Sequence, residues 1–260
     1  MRASGFTRGL YGWGLVLILI LIWQIIPETN VISPTVLPPA TEAFASLYSL
    51  LVNGTIVQSL LATLARVLGG YFLGALIGVS IGLLMGLSRT AYRTGDPLVQ
   101  LLRPMPAAVL LPLAILYLGL GNAMIVSLIA YGCIWPVLIN TMDGVRAIDP
   151  LILDTAREFN ITGSARLVKI ILPASAPYIF SGLRISFAIG WIVGITAEIL
   201  STATTEGLGA LVFQYLNSGG YSSIYSVIIV VAISSYVLNR ALLYAQKKII
   251  PWHAKSKGRY

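Results

Sequence analysis

"DPLILDTAREFNITGSARLVKIILP" (149–173) is the longest mixed-charge stretch in a chain that is otherwise apolar. Asp149 is a good helix N-cap and Pro150 suits a first helical turn. "LILDTAREF" then propagates well, and Asn160 can take the left-handed conformation that ends a helix. "TGS" can cap a second helix, "ARLVKIIL", which stops at Pro173. The stretch therefore reads as two short helices joined at an angle. The first carries Leu151, Thr155, Glu158 and Phe159 on adjoining parts of its surface, with Asp154 and Arg157 alongside. A short helix with an apolar edge and mixed charge fits a groove on another protein. The residues alone equally allow a solvated connector.

What surrounds the stretch fixes the class. The 260 residues are 57% hydrophobic and 10% charged, against about 25% charged in soluble domains. This is an all-α integral membrane protein, and we expect one transmembrane domain over residues 1–260. A crossing helix needs about 20 mostly apolar residues, which places about six spans at 9–26, 62–86, 97–118, 122–142, 178–200 and 222–246. Residues 27–40 form a proline-rich loop and 41–53 a short interfacial helix. The uncharged run 104–142 is too long for one helix, and "GLGN" (119–122) divides it. The first span starts like a signal peptide, but no small-residue cleavage site follows it.

Lys and Arg set the orientation. With both termini in the cytoplasm, segments 1–9, 87–97, 143–175 and 247–260 hold thirteen basic residues, and loops 27–56, 119–122 and 201–221 hold none. The net charge of +8 thus reports membrane orientation rather than nucleic acid. The opening stretch becomes the longest internal loop, 143–175, on the cytoplasmic side.

That loop resembles the "EAA" motif of ABC importer permeases. The pattern is Glu-Ala-Ala, a Gly four residues after the second Ala, then an Ile-x-Leu-Pro closure. Here it reads Asp154-Thr155-Ala156, Asn160, then Ile170-Ile171-Leu172-Pro173. "RPMPAAVLLPLAILYLGLG" (103–121), "GLRISFAIG" (182–190), "AEIL" (197–200) and "PWH" (251–253) extend the likeness to the nitrate/sulfonate/taurine subfamily over roughly 35–253. Asp154 stands for Glu, Thr155 for the first Ala, and Asn160 for Gly; Asn and Gly both tolerate positive φ. The resemblance implies a bacterial inner-membrane permease in which Asp154, Thr155, Ala156, Arg157, Glu158, Phe159, Asn160 and Gly163 couple to an ATPase. It implies as partners a second permease copy in a homodimer, two ABC ATPase subunits and an extracytoplasmic solute-binding protein. The cargo would be a small anion of the sulfonate, taurine, nitrate or bicarbonate class. ATP and Mg would bind the partner ATPase, with no cofactor on this chain. The chain agrees: a P-loop needs a Gly-Lys pair to cradle phosphate, and none occurs.

Other patterns are read physically. "GVSIG" (78–82) matches a hydrolase elbow, but its serine sits in a span and the lone His253 lies on a distant basic tail, where it is solvated. Gly70, Gly74, Gly78, Gly82 and Gly86 form a small-xxx-small stripe for close helix approach. At 3.6 residues per turn the stripe drifts about 40° per step, so we expect it to serve crossing helices or several neighbours. Cys133 is a packing residue, and no metal-ligand spacing is present. Arg66, near the outer end of its span, either pairs or attracts an anion. Glu198 could pair with it or form a gate. Arg103 and Arg184 lie toward cytoplasmic ends. Pro104, Pro106 and Pro112 break the third span and free carbonyls that can line a pathway. The competing reading, a secondary transporter without an ATPase, calls for internal repeats, and none is evident.

Overall fold

In the computed structural model the glycine stripe has a single neighbour. The structure describes residues 5–29, 32–201 and 206–250, with side chains from residue 14 onward; His253 and the "PWH" segment lie outside the described residues. The five glycines lie on α3 (Thr55–Leu87) and all abut α6 (Asn122–Arg146). A Cβ on Gly70 would meet Ile129, and on Gly74, Gly78, Gly82 and Gly86 it would meet Cys133, Val137, Thr141 and Val145 in turn. The partners therefore also recur every four residues. The expected spread over several neighbours does not occur, and the reason is geometric. Two stripes of one shared period, longer than 3.6, stay face to face when the helices wrap around each other in the right-handed sense.

A second small-residue stripe went unread in the sequence. On α9 (Leu172–Leu200), Gly182, Ser186 and Gly190 approach another side of α6. A Cβ on Gly182 would stand 2.8 Å from Pro136 O, and one on Gly190 would stand 2.8 Å from Cys133 Sγ. Ser186 Oγ donates to Cys133 O at 3.1 Å and Cys133 Sγ donates to Ser186 O at 3.3 Å. Cys133 is thus a small packing residue that also ties two helices. Val67, Ile125, Ile129, Trp191, Leu208 and Val227 complete the main apolar core.

Around this three-helix centre the remaining elements are α1 (Gly5–Glu28), α2 (Ala40–Val52), α4 (Arg89–Leu102), α5 (Leu111–Leu118), α7 (Pro150–Glu158), α8 (Gly163–Arg166), α10 (Leu208–Ser218) and α11 (Tyr221–Ile249). Among the described residues, four helices are long and apolar enough to cross a membrane, or five if α4 and α5 count as one broken span. These correspond to the expected second to sixth spans. Of the expected first span, only Gly14–Glu28 enters that test, and it is shorter than the test requires. Trp23 Nε1 donates to Pro38 O at 3.0 Å and anchors α1 beside α2.

Three expectations need correction. The third span does not start at 97. Ser88 caps α4, accepting from Ala91 N at 3.2 Å, and the helix passes through Pro97 to Leu102. It then turns by 87° through Arg103–Pro106 into α5. The loop 201–221 contains α10, an eleven-residue helix too short to read as a span. Pro173 does not end a helix either: α8, a π-helical turn over Leu167–Ile171, and α9 run on as one 38-residue helix. In that turn Leu172 N–H bonds Leu167 O, five residues back. The wider turn accommodates a proline ring that would clash with the carbonyl four residues back in a regular α-helix.

Candidate functional site

Three places bear on function: α7, a polar cluster at the opposite end of the bundle, and a cavity between them. The end of α6 that carries Arg146 and leads to α7 is called the basic end below.

α7 is defined by its caps. Asp149 accepts from Leu151 N at 2.9 Å, and Pro150 fills the first turn. At the other end Asn160 has φ 55°, the one non-glycine with positive φ among the described residues. Its N–H bonds Arg157 O at 2.9 Å, and Ile161 N–H bonds Ala156 O at 2.8 Å. That pair of bonds is a Schellman ending, which satisfies carbonyls the helix would otherwise leave orphaned. Gly163 also has positive φ, while the Thr162 side chain makes no capping bond. Ala156 is the anchor, 2% exposed, whereas Leu151 and Phe159 are 71% and 74% exposed. Asp154 and Arg157 pair on the surface at 2.8 Å, and Thr155 Oγ1 turns back to Leu151 O. Glu158 is exposed beside them. α7 thus presents an apolar, uncovered edge with charges flanking it.

At the opposite end Arg66 and Glu198 meet. Arg66 Nη1 lies 2.6 Å from Glu198 Oε1, with both side chains buried. Arg66 also donates to Asn122 Oδ1 and to Glu206 O. Glu198 accepts from Thr63 Oγ1 and from Gly209 N–H, and Thr63 Oγ1 accepts from Leu208 N–H. The carboxylate and the hydroxyl therefore cap α10, taking up two of its free N–H groups and facing the positive end of its dipole. Gly207 lies at φ 135°, and a Cβ there would stand 2.6 Å from the Glu198 carboxylate. This clasp joins α3, α6, α9 and the start of α10, so it holds the wall of the bundle together. It does not line the cavity.

The cavity, about 630 Å³, lies between the α4–α5 break, α6 and α9. Pro104 and Pro106 line it, as do Tyr131, Trp135, Pro136 and Ile189. Pro136 has no N–H, so Gly132 O lacks its helical donor and belongs to the cavity wall. Arg103 lines the cavity as well and does not sit near the basic end. Tyr131 Oη donates to Leu102 O at 2.7 Å. Tyr131 is nine residues into α6 and fifteen before Arg146, about 14 Å and 22 Å from the two ends by helix rise. Val99 packs with Leu138 and Met142, one turn nearer the basic end. The third span climbs farther before its break than a start at 97 implies, which carries Arg103 to mid-depth. Arg184, by contrast, is exposed and donates to Asn239 Oδ1 at 3.3 Å. No cluster of three or more potential metal ligands occurs among the described residues.

Comparison with known proteins shows the family. A family model described as "Binding-protein-dependent transport system inner membrane component" matches residues 70–252. A Bacillus subtilis (strain 168) protein named for aliphatic sulfonates transport as a permease is 31% identical, over 96% of this chain and 92% of that one. The taurine transport system permease of Escherichia coli (strain K12) is 30% identical over 93% of this chain and 89% of its own. The bicarbonate transport system permease of Synechococcus elongatus is 31% identical over 89% and 86%. Among solved structures, the MetNI methionine ABC transporter in an inward-facing conformation covers 76% of this chain and 95% of that one, at a TM-score of 0.62 and 19% identity.

Proposed function

We propose, for a chain that belongs to the family of binding-protein-dependent transport system inner membrane components, how its parts carry out transport. It is a membrane-spanning permease of an ABC importer of the nitrate, sulfonate and taurine group. Its cargo is a small anion, and an extracytoplasmic binding protein delivers it. α7 is the coupling helix, seated in a groove of a separate ATPase subunit that holds ATP and Mg. A second copy of this chain completes the pathway, and a second ATPase completes the motor. The basic end, with both termini, faces the cytoplasm, in keeping with thirteen basic residues against none.

One observation carries this reading. Leu151 and Phe159 stand more than two-thirds exposed on a helix fixed at both ends. A solvated connector has no use for large apolar side chains held in place, whereas a docking helix does. The capped ends aim the helix, so a push from a partner reaches α9 through the unbroken run from Gly163 to Leu200. The test is reconstitution in proteoliposomes with a candidate ATPase and a candidate binding protein. Uptake is expected only with ATP and with both partners. Uptake by the permease alone, driven by an ion gradient, would identify a secondary transporter.

A further inference from the structure

We propose that Arg103 is an anion-holding station at mid-depth in the membrane, and that the cavity it lines takes a small organic anion with an apolar body, such as an alkanesulfonate. The proposal deepens the importer reading and rests on it for direction of transport, not for the binding itself.

Arg66 and Arg103 both belong to membrane-spanning segments, and their surroundings differ. Arg66 is neutralised by Glu198 and bonded to Asn122 and Glu206 O. Arg103 follows Leu102, whose carbonyl accepts from Tyr131, a residue about 14 Å and 22 Å from the ends of α6 by helix rise, and it has no ion pair or side-chain hydrogen bond among the described residues. An ionised side chain at that depth is costly unless something answers it, and such residues mark solute paths. Among the described residues the cavity lining includes no carboxylate, so none of them offers Arg103 a counter-charge there. A visiting anion would supply one, through the bidentate geometry that guanidinium offers to oxyanions.

The rest of the wall selects among anions. Leu111, Leu128, Ile139, Ile189 and Ile192 dominate it. The Tyr131 hydroxyl proton is already spent on Leu102 O, and Asn140 Nδ2 donates to Pro136 O. A bare inorganic ion would lose its hydration shell here and recover only Arg103 and the Thr196 hydroxyl. An alkyl anion needs only its head group satisfied, and its tail gains from leaving water. The volume agrees: about 630 Å³ lies in the range of sites for whole organic molecules, about 300–1,000 Å³.

The experiment uses the full chain in nanodiscs, co-purified with its ATPase, and titrates butanesulfonate and sodium nitrate by calorimetry. Butanesulfonate is expected to bind, and nitrate at least about tenfold more weakly. Arg103→Gln should weaken butanesulfonate about tenfold or more, the scale of one lost charge-assisted contact. Arg103 is exposed to the cavity, so the variant should fold, and its elution on size exclusion checks this. As an independent arm, Ile192→Trp adds bulk at an exposed wall position and should weaken hexanesulfonate more than ethanesulfonate. Equal binding to wild type and Arg103→Gln overturns the proposal. So does nitrate binding as tightly as butanesulfonate, or binding only of long detergent-like chains regardless of Arg103. Failure of the ATPase to co-purify would count against the importer reading alone.

Discussion

α6 has two faces with opposite characters. One, through Ile129, Cys133, Val137, Thr141 and Val145, is pressed against the glycines of α3 with no room for a methyl group. The other, through Tyr131, Gly132, Trp135, Pro136 and Ile139, borders a cavity of about 630 Å³. In a membrane there is no hydrophobic force to pull helices together, so close packing has to come from small residues. The same helix can therefore be fixed on one side and left open on the other by glycine placement alone. Rigidity on the α3 side keeps the open side in shape for a solute.

The largest effect is expected on the closed face. In Gly78→Val the new Cβ would stand 2.8 Å from Ile134 O and 2.9 Å from Val137 Cβ. A backbone carbonyl cannot rotate away, so the helices must separate. The cost is on the order of 3 kcal/mol or more, enough to remove most folded protein from a membrane extract. Normal yield and melting temperature would mean that the α3–α6 contact is not what organises the bundle.

The clasp comes next. Glu198→Gln keeps the shape but leaves the Arg66 guanidinium buried without a counter-charge, for which the usual cost is about 3–5 kcal/mol. Some relief is expected because Asn122 and Glu206 O remain as acceptors. The double change Arg66→Met with Glu198→Gln should melt above Glu198→Gln alone, since no buried charge is then left over. If the double variant is the weaker one, the interaction is not the ion pair but the individual hydrogen bonds each residue makes to α10.

What could be read from sequence divides along the same line. Apolar run lengths suffice for the existence of the second, fourth, fifth and sixth spans, because the bilayer imposes them. Arg66 and Glu198, 132 positions apart, could be suspected as partners because each counts to a similar depth along its own helix. Arg103 could not be placed that way. Its depth depends on α4 starting at Arg89 and running through Pro97 before an 87° turn, and no local pattern marks a proline that a helix tolerates. α10 escaped notice because eleven mostly apolar residues are ambiguous between loop and half-helix; its cap comes from Thr63 and Glu198, remote in sequence. The α9 stripe was missed because a serine interrupts its glycines.

A smaller effect is expected at α7, outside the bundle. A β-branched residue at the left-handed position of Asn160 incurs about 1–2 kcal/mol, and glycine almost nothing. Asn160→Val should therefore lose the Schellman ending and mis-aim Leu151 and Phe159, while bundle stability stays near that of wild type. Pull-down of the ATPase should fall for Val and persist for Asn160→Gly. Equal pull-down by both would leave the docking reading without its geometric basis.

The smallest effect is expected on α9, on the cavity wall that the open face of α6 looks onto, and it sharpens the comparison most. Ile192 lines the cavity and is 65% exposed, whereas the glycines opposite have no spare space. Removing apolar atoms that already lie open leaves no sealed void, so Ile192→Ala should change the melting free energy by no more than about 0.5 kcal/mol. The measurement is thermal unfolding of the purified chain in detergent, alongside Gly78→Val. A loss of about 2–5 kcal/mol, the range for truncating a buried isoleucine, would mean that another surface covers this wall in the assembled protein. The cavity that the open face of α6 borders would then be filled in the assembly, and the contrast between the two faces would hold only for the isolated subunit. A small change would leave that wall open to a solute, with the close contacts of α6 to the small residues of α3 and α9 holding its shape.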